Sequence, residues 1–180
     1  MTYNLNLNIP SEITKIESDL FNQNQVSVFI KRDDLIHPFI SGNKWRKLKY
    51  NFQYAELKGY RTILSYGGPY SNHLHALSYA CNKLGFDSVG IVRGVQKLEA
   101  NPTLSFCQEN NMQLYYLDRS EYRYNKYSKK TLDYFRKTFK PFYMVPEGGN
   151  NELGVRGCEE ILSEIDLDYD YVCSPVGTGC

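Results

Sequence analysis

The fold is indicated by the stretch from Arg61 to Gly85, which reads RTILSYGGPYSNHLHALSYACNKLG. Within it, Arg61–Ser65 predicts a strand, and the glycines and proline that follow predict a turn. Asn72–Leu84 then has helical spacing and stops at Gly85, a residue that favours the end of a helix. The stretch therefore predicts one strand, turn and helix unit.

The same order of strand and helix continues on both sides of this stretch. Upstream, Val26–Lys31 predicts a strand, and Asn43–Lys58 carries apolar residues at helical spacing up to a glycine cap. Downstream, Ser88–Val92 predicts a strand, and Asn101 caps a helix that opens with Pro102.

The last third of the chain repeats the pattern. Strands are predicted at Met112–Leu117, Phe142–Val145 and Tyr169–Cys173, and helices between residues 128 and 138 and at Glu152–Ile165. This alternation indicates an α/β fold of parallel sheets with helices on both faces. In such folds ligands bind at the carboxyl ends of the strands, where the polar clusters described below lie.

The composition is that of a globular protein. The chain has 180 residues, of which 42% are hydrophobic and 23% charged, enough for one sizeable core or two small ones. Its net charge is +1 and its basic residues are interspersed with acidic ones, so a small molecule is favoured over nucleic acid as a partner. Without a secretory leader pattern or a run of roughly 20 apolar residues, we expect a cytoplasmic protein with no membrane contact.

The cysteines do not follow a metal or disulfide pattern. There are five, widely spaced, without Cys-x-x-Cys or Cys/His ligand spacing: Cys81, Cys107, Cys158, Cys173 and Cys180. We therefore expect no metal site and no disulfide framework, and most of the thiols should be small buried groups.

One lysine has a position suited to covalent chemistry. In Ser41-Gly42-Asn43-Lys44, Lys44 lies at the start of a predicted helix, beside the apolar stripe that begins with Trp45 and Leu48. The positive end of the helix dipole and desolvation both disfavour an ammonium, which suits an amine that must attack an aldehyde. Taken alone, a lysine near a helix start is more often a solvated surface residue.

A second polar cluster, Ser71-Asn72-His73, opens the next helix. Ser and Asn are favoured there simply as caps of unpaired backbone N–H groups, but a cap accounts for only one of the three residues. The preceding Gly67-Gly68 allows close approach of the backbone to a ligand, and the exposed amides suit a carboxylate. Individually, His73 and His75 are typical of packing or hydrogen-bonding residues rather than of acids or bases.

A glycine-rich turn, Val176-Gly177-Thr178-Gly179, follows the last predicted strand. Such turns are common in α/β proteins, but they also supply the nest of N–H groups that a phosphate needs. Lys47, one helical turn beyond Lys44, would add a positive charge to the same phosphate. Because such a turn normally leads into a helix, the chain is expected to be either the front part of a longer protein or a naturally short one.

Five motifs in this order resemble one family. They are Ile30-Lys31-Arg32-Asp33-Asp34, Ser41-Gly42-Asn43-Lys44, Gly67-Gly68-Pro69-Tyr70-Ser71-Asn72-His73, Pro146-Glu147-Gly148-Gly149 and Val176-Gly177-Thr178-Gly179. The chain resembles the 1-aminocyclopropane-1-carboxylate deaminase and D-cysteine desulfhydrase family of pyridoxal-phosphate enzymes, whose fold is of the tryptophan-synthase-β type. The resemblance runs from about Val26 to the last residue.

The resemblance implies roles for residues in three of these motifs and for Lys47. Lys44 would hold pyridoxal 5'-phosphate as a Schiff base and later move a proton at the substrate carbon. Asn72 would hydrogen-bond the phenolic oxygen of the cofactor, and Ser71 would bind the substrate carboxylate or assist proton transfer. The other implied contacts are to the phosphate, from Lys47, Val176, Gly177, Thr178 and Gly179, and to a small amino-acid substrate, from Asn43, Tyr70, Asn72 and His73.

The resemblance also implies a two-lobed molecule that is incomplete at its C-terminus. Residues 1–44 and 146–180 would belong to the larger, cofactor-binding lobe, and residues 45–145 would form a smaller α/β lobe. Family members continue beyond Cys180 with the partner of the pyridine nitrogen. A homodimer is the default assembly.

Two departures from the family pattern bear on the reaction. The deaminase branch usually carries Gln in place of His73, and Gln is common in both branches in place of Tyr70. His73 favours the desulfhydrase-like branch, with elimination from a small D-amino acid such as D-cysteine to give a 2-keto acid and ammonia. Deamination, β-replacement on the same scaffold, and a catalytically silent fragment that serves binding or assembly stay open at this point.

Overall fold

The computed structural model describes residues 5–96 and 101–175. In chain order its strands and helices are β1 (Ile13–Ile16), α1 (Asp19–Gln23), β2 (Val28–Lys31), α2 (Lys44–Leu57), β3 (Thr62–Gly67), α3 (Asn72–Leu84), β4 (Asp87–Arg93), α4 (Pro102–Glu109), β5 (Met112–Leu117), α5 (Arg119–Tyr124), α6 (Lys129–Thr138), β6 (Phe142–Met144) and α7 (Glu152–Ser163). None of the helices in these two ranges has both the length and the apolar character needed to cross a membrane.

The centre of the molecule is a four-stranded parallel sheet. Its strands lie in the order β5-β4-β3-β6, and every neighbouring pair runs in the same direction. Strand β3 is buried along its whole length because a strand lies on each side of it and helices cover both faces. The prediction of a parallel α/β sheet is confirmed.

Helices pack on both faces of this sheet. Because successive side chains of a strand point to opposite faces, Ile63 enters the core that α2, α3 and α4 form with residues such as Leu48 and Leu77. Its neighbour Leu64 enters a second core, which includes Tyr122 of α5 and Phe135 of α6.

The first and last described elements lie outside this sheet. Strands β1 and β2 pair with each other in an antiparallel hairpin, with Ile13 opposite Lys31. Helix α7 packs on α2, and the approach is so close that a Cβ on Gly157 would collide with the backbone oxygen of Arg46. Neither β1 nor α1 was predicted from the sequence.

One predicted strand is wrong. Residues 169–173 form no strand, with a bend at residue 170, and Tyr171 is 88% exposed. A strand needs a neighbour to satisfy its backbone N–H and C=O groups, and within the described ranges no strand lies beside this segment. The predicted helix at Glu152–Ile165 is confirmed but ends at Ser163.

Candidate functional site

The residues around Lys44, at the start of α2, are held by one backbone and one side-chain hydrogen bond. Gly42 has a φ of 61°, a left-handed conformation that glycine adopts without strain, and its N–H donates to the backbone oxygen of Asp33 at 2.8 Å. Asn43 precedes the helix, but its side chain does not cap it. Instead, Asn43 Oδ1 accepts a hydrogen bond from Lys44 Nζ at 2.9 Å.

The second cluster opens α3 just after β3 ends. Ser71 is the N-cap residue, and its Oγ accepts the N–H of Leu74 at 3.2 Å. A Cβ on Gly67 would collide with this hydroxyl, so the turn requires glycine at that position. Since Ser71 Oγ accepts this bond, its own hydrogen stays available for donation to a ligand.

A cavity of about 460 Å³ joins the two clusters. Asn43 and Lys44 line it from the start of α2, and Asn72 lines it from the start of α3. The other lining residues come from the loop before α2 and from the first turns of α3 and α4: Pro38, Phe39, Ser41, Gly42, His75, Ala76 and Thr103. Three of the predicted site residues therefore meet around one space, at the carboxyl edge of the sheet.

Two of the cavity residues that sequence reasoning missed, His75 and Thr103, have polar side chains. His75 lines the cavity with its ring stacked on Phe106 at a centroid distance of 3.9 Å and with Nδ1 3.3 Å from the backbone oxygen of Phe39. The signal was present, because His75 is three residues beyond Asn72 and so shares its helix face. Thr103 was predictable too, since the Asn101-Pro102 start placed α4 at the same sheet edge.

His73 points away from the open cavity. It is 4% exposed, and Nε2 lies 2.8 Å from Ser65 Oγ. Since Ser65 donates its hydrogen to the backbone oxygen of Val145 at 2.8 Å, the proton between the two side chains belongs to His73 Nε2. The other ring nitrogen, Nδ1, is buried without a hydrogen-bond partner among the described residues.

Burial, together with nearby positive charge, keeps the ring of His73 neutral. Burial, followed by the positive charges of Lys44 and Lys47, lowers the pKa of His73 to about 3. The two lysines are therefore close enough to act on one group. Contact of His73 with a substrate stays a prediction.

Tyr70 faces a different space. It is 76% exposed and lines a wider cleft of about 1340 Å³ beyond the carboxyl ends of β4 and β5. Four cationic side chains and one carboxylate also line this cleft: Arg93, Arg119, Arg123, Lys126 and Glu147. The Lys126 ammonium pairs with Glu147 at the cleft wall. The structure thus separates Tyr70 from the cavity that Lys44 and Asn72 share.

The predicted phosphate site is only partly described. Lys47 is 6% exposed, and a Cβ on Gly149 would lie 3.1 Å from Lys47 Cβ, so the lysine stem packs on the Glu147–Gly149 turn. The residues Val176, Gly177, Thr178 and Gly179 lie outside the described ranges. Their contact with a phosphate stays a prediction.

Comparison with known proteins identifies relatives along most of the chain. A family model described as "Pyridoxal-phosphate dependent enzyme" matches residues 12–180. A candidate 1-aminocyclopropane-1-carboxylate deaminase of Pyrococcus horikoshii is 30% identical over 156 residues, which are 84% of this chain and 48% of that protein. The mitochondrial bifunctional D-cysteine desulfhydrase/1-aminocyclopropane-1-carboxylate deaminase of Arabidopsis thaliana is 30% identical over 82% of this chain and 39% of its own length.

The fold has a relative among solved structures. The crystal structure of an ACC deaminase homologue matches with a TM-score of 0.71 and 27% identity, over 89% of this chain and 49% of that one. The chain therefore spans about half the length of the relatives it matches.

Proposed function

The chain belongs to the family of pyridoxal-phosphate dependent enzymes. We propose that it contributes the part of the active site that contains the cofactor-binding lysine, in an enzyme that converts a small amino acid to a 2-keto acid and ammonia. The observation that carries this proposal is the cavity shared by Lys44 and Asn72, which lie at the starts of two consecutive helices. Relatives named for D-cysteine desulfhydrase and 1-aminocyclopropane-1-carboxylate deaminase activity support the reaction class.

The residues present fit pyridoxal phosphate. Lys44, a half-buried residue, offers an amine, Asn72 offers an amide donor, and the N-terminal ends of α2 and α3 favour anionic groups. When bound, the cofactor supplies the ring that withdraws electrons from the substrate carbon. Lys44 would hold the cofactor aldehyde, Asn72 its phenolic oxygen, and Lys47 with Val176–Gly179 its phosphate.

Ser71 and Lys44 would act on the substrate directly, and Asn43 would act by holding Lys44. The Ser71 hydroxyl, which accepts the Leu74 N–H, would donate its own hydrogen to the substrate carboxylate beside the start of α3. Lys44 would then take or return a proton at the substrate carbon. Asn43, whose side-chain oxygen holds the Lys44 ammonium at 2.9 Å, would keep the amine within the cavity.

The proposal also covers the reaction branch, the division into lobes, the location and the assembly. His73 favours a desulfhydrase-like reaction on a β-substituted amino acid such as D-cysteine. Residues 1–44 and 146–180 would form the larger lobe and residues 45–145 the smaller one, with α7 packed on α2 across that boundary. A cytoplasmic location and a homodimer complete the proposal.

The test is covalent attachment of the cofactor at Lys44. The full chain is mixed with pyridoxal phosphate, reduced with borohydride, and mapped by mass spectrometry, with visible absorbance recorded before reduction. We expect Lys44→Ala to abolish the absorbance band and the label on that peptide, and Lys58→Ala, at the other end of α2, to keep both. Any turnover should fall by about 10²-fold to 10⁴-fold in Lys44→Ala.

Two results would count against the proposal. A Lys44→Ala protein with an unchanged band would make the lysine assignment wrong. A wild-type chain that gains no label at Lys44 would favour the alternative of a catalytically silent fragment. Release of sulfide from D-cysteine, compared with ammonia from 1-aminocyclopropane-1-carboxylate, distinguishes the two substrate branches.

A further inference from the structure

Asp33 holds the chain on both sides of Lys44. Its backbone oxygen accepts the N–H of Gly42 at 2.8 Å. Its carboxylate accepts Nε and Nη2 of Arg46 at 2.7 and 2.9 Å. Gly42 lies two residues before Lys44 and Arg46 two residues after it, so one residue fixes both flanks of the lysine.

Arg46 is itself fully anchored. It is 1% exposed, in the first turn of α2, and its Nη1 and Nη2 donate to the two carboxylate oxygens of Glu164 at 2.8 and 2.9 Å, so Nη2 donates to both Asp33 and Glu164. Its backbone oxygen lies against Gly157 of α7. Two bidentate carboxylates define the orientation of a planar guanidinium more tightly than a single contact does.

The charges of this cluster balance. Lys31 Nζ donates to Glu164 at 2.8 Å and to Ser11 Oγ at 2.7 Å, and Ser11 Oγ donates to Asp33 at 2.6 Å. The cluster therefore contains two cations and two carboxylates. Buried ion pairs often contribute no more stability than apolar residues of the same size. Stability alone therefore does not account for this cluster, and its distinctive property is the fixed geometry of its side chains.

We propose that Asp33 is a positioning residue for Lys44, acting through Gly42 and Arg46 to hold the start of α2 so that the lysine amine faces the cavity. The inference rests on the proposed function, because that proposal places in the cavity the cofactor that Lys44 would bind. It assigns a role to Asp33 in the motif Ile30-Lys31-Arg32-Asp33-Asp34, for which the resemblance had implied none.

The test compares two adjacent carboxylates. Asp33→Asn keeps the shape of the side chain but loses the charge that holds Arg46. Asp34→Asn is the matched control, because Asp34 pairs with Arg32 at the surface with its side chain 57% exposed. The rate of pyridoxal phosphate attachment at Lys44 is measured by borohydride trapping and mass spectrometry in the full chain, and folding is checked by circular dichroism.

We expect attachment at Lys44 to slow by about tenfold to a hundredfold in Asp33→Asn, since small misplacements of a reacting group have effects of this size, and to stay within about twofold in Asp34→Asn. Competitive acetylation in the absence of cofactor gives a second readout, in which the labelling of Lys44 relative to Lys58 should change only in Asp33→Asn. Equal attachment and labelling in wild type, Asp33→Asn and Asp34→Asn would overturn the inference.

A second variant covers the case in which Asp33→Asn does not fold. A Cβ on Gly42 would have no atom within 4 Å, so Gly42→Ala leaves the packing intact and strains only the φ of 61° that directs its N–H to Asp33. It should slow attachment as well, and attachment at the wild-type rate would overturn the inference. Failure of the wild-type chain and Asp34→Asn to be labelled would instead count against the proposed function.

Discussion

At the scale of single residues, the buried ring of His73 links the site to the stability of the fold. Burial and the nearby Lys44 and Lys47 charges lower its pKa to about 3 from an ordinary value of 6.5. Between about pH 6.5 and about pH 3, His73 is therefore protonated in the unfolded chain but neutral in the folded chain. The free energy of unfolding should fall across this window as the pH is lowered, by at most about 1.4 kcal/mol per pH unit from this group.

Substitution of His73 by Gln should reduce that slope. Gln donates to Ser65 as His73 does but does not titrate, so the loss of stability between about pH 6.5 and about pH 4 should be smaller in His73→Gln than in wild type. Urea unfolding at several pH values measures it. The control is His75→Gln, because His75 is less buried and should change the slope less. Parallel wild-type and His73→Gln curves would contradict the assignment.

At the scale of elements, the sequence predicted what local pattern determines. The helix at Asn72–Leu84 and the strand at Met112–Leu117 have the predicted bounds, because a cap, a glycine stop and an apolar run each act within a few residues. The short elements β1, α1 and α5 were missed, since four to six residues carry little periodicity. The strand predicted at Tyr169–Cys173 failed because pairing depends on a neighbour that the local sequence does not encode.

The site, like the fold, was predicted where local sequence determines it and missed where distant parts of the chain come together. Lys44 and Asn72 were predicted because each lies at the start of a helix with a clear local pattern, and Asn72 also follows a strand of the parallel sheet, at whose carboxyl end ligands bind. The Asp33, Arg46 and Glu164 cluster was not, because Glu164 is 118 residues from Arg46 and its partner is decided by how α7 packs on α2. Burial of His73 depended in the same way on Ser65 and Val145, which lie on neighbouring parts of the sheet.

The crossing of α2 and α7 leads to a prediction at Gly157. Alanine normally favours a helix over glycine by about 1 kcal/mol, but here its Cβ would overlap the backbone oxygen of Arg46. We expect Gly157→Ala to lower the free energy of unfolding by about 1–3 kcal/mol. Glu159→Ala, an exposed position on the same helix, should stay within about 0.5 kcal/mol of wild type in the same urea titration. Stabilisation by Gly157→Ala would show that the helices are not in close contact.

At the scale of the whole molecule, Glu164 at the end of α7 joins that helix to β2 and α2. It pairs with Arg46 and with Lys31, which lie 118 and 133 residues away in the sequence. Burial alone would raise the pKa of Glu164, but hydrogen bonds from Arg46 and Lys31 outweigh that effect and lower it to about 2. The lowered pKa means that the stabilisation is present above pH 4.5, the ordinary value, and is lost as the pH falls towards 2.

Glu164→Gln should therefore be destabilising in a way that depends on pH. Near pH 7 we expect a loss of about 2–3 kcal/mol, because the buried Arg46 keeps only Asp33 as a charged partner. Between about pH 4.5 and about pH 3 the difference from wild type should shrink, since wild type is then losing the same interaction. Glu160→Gln, on the same helix but 29% exposed and paired with Lys49, should lose about 1 kcal/mol or less. A deficit in Glu164→Gln that stays constant across this range would mean that packing of the side chain, rather than its charge, connects α7 to β2 and α2.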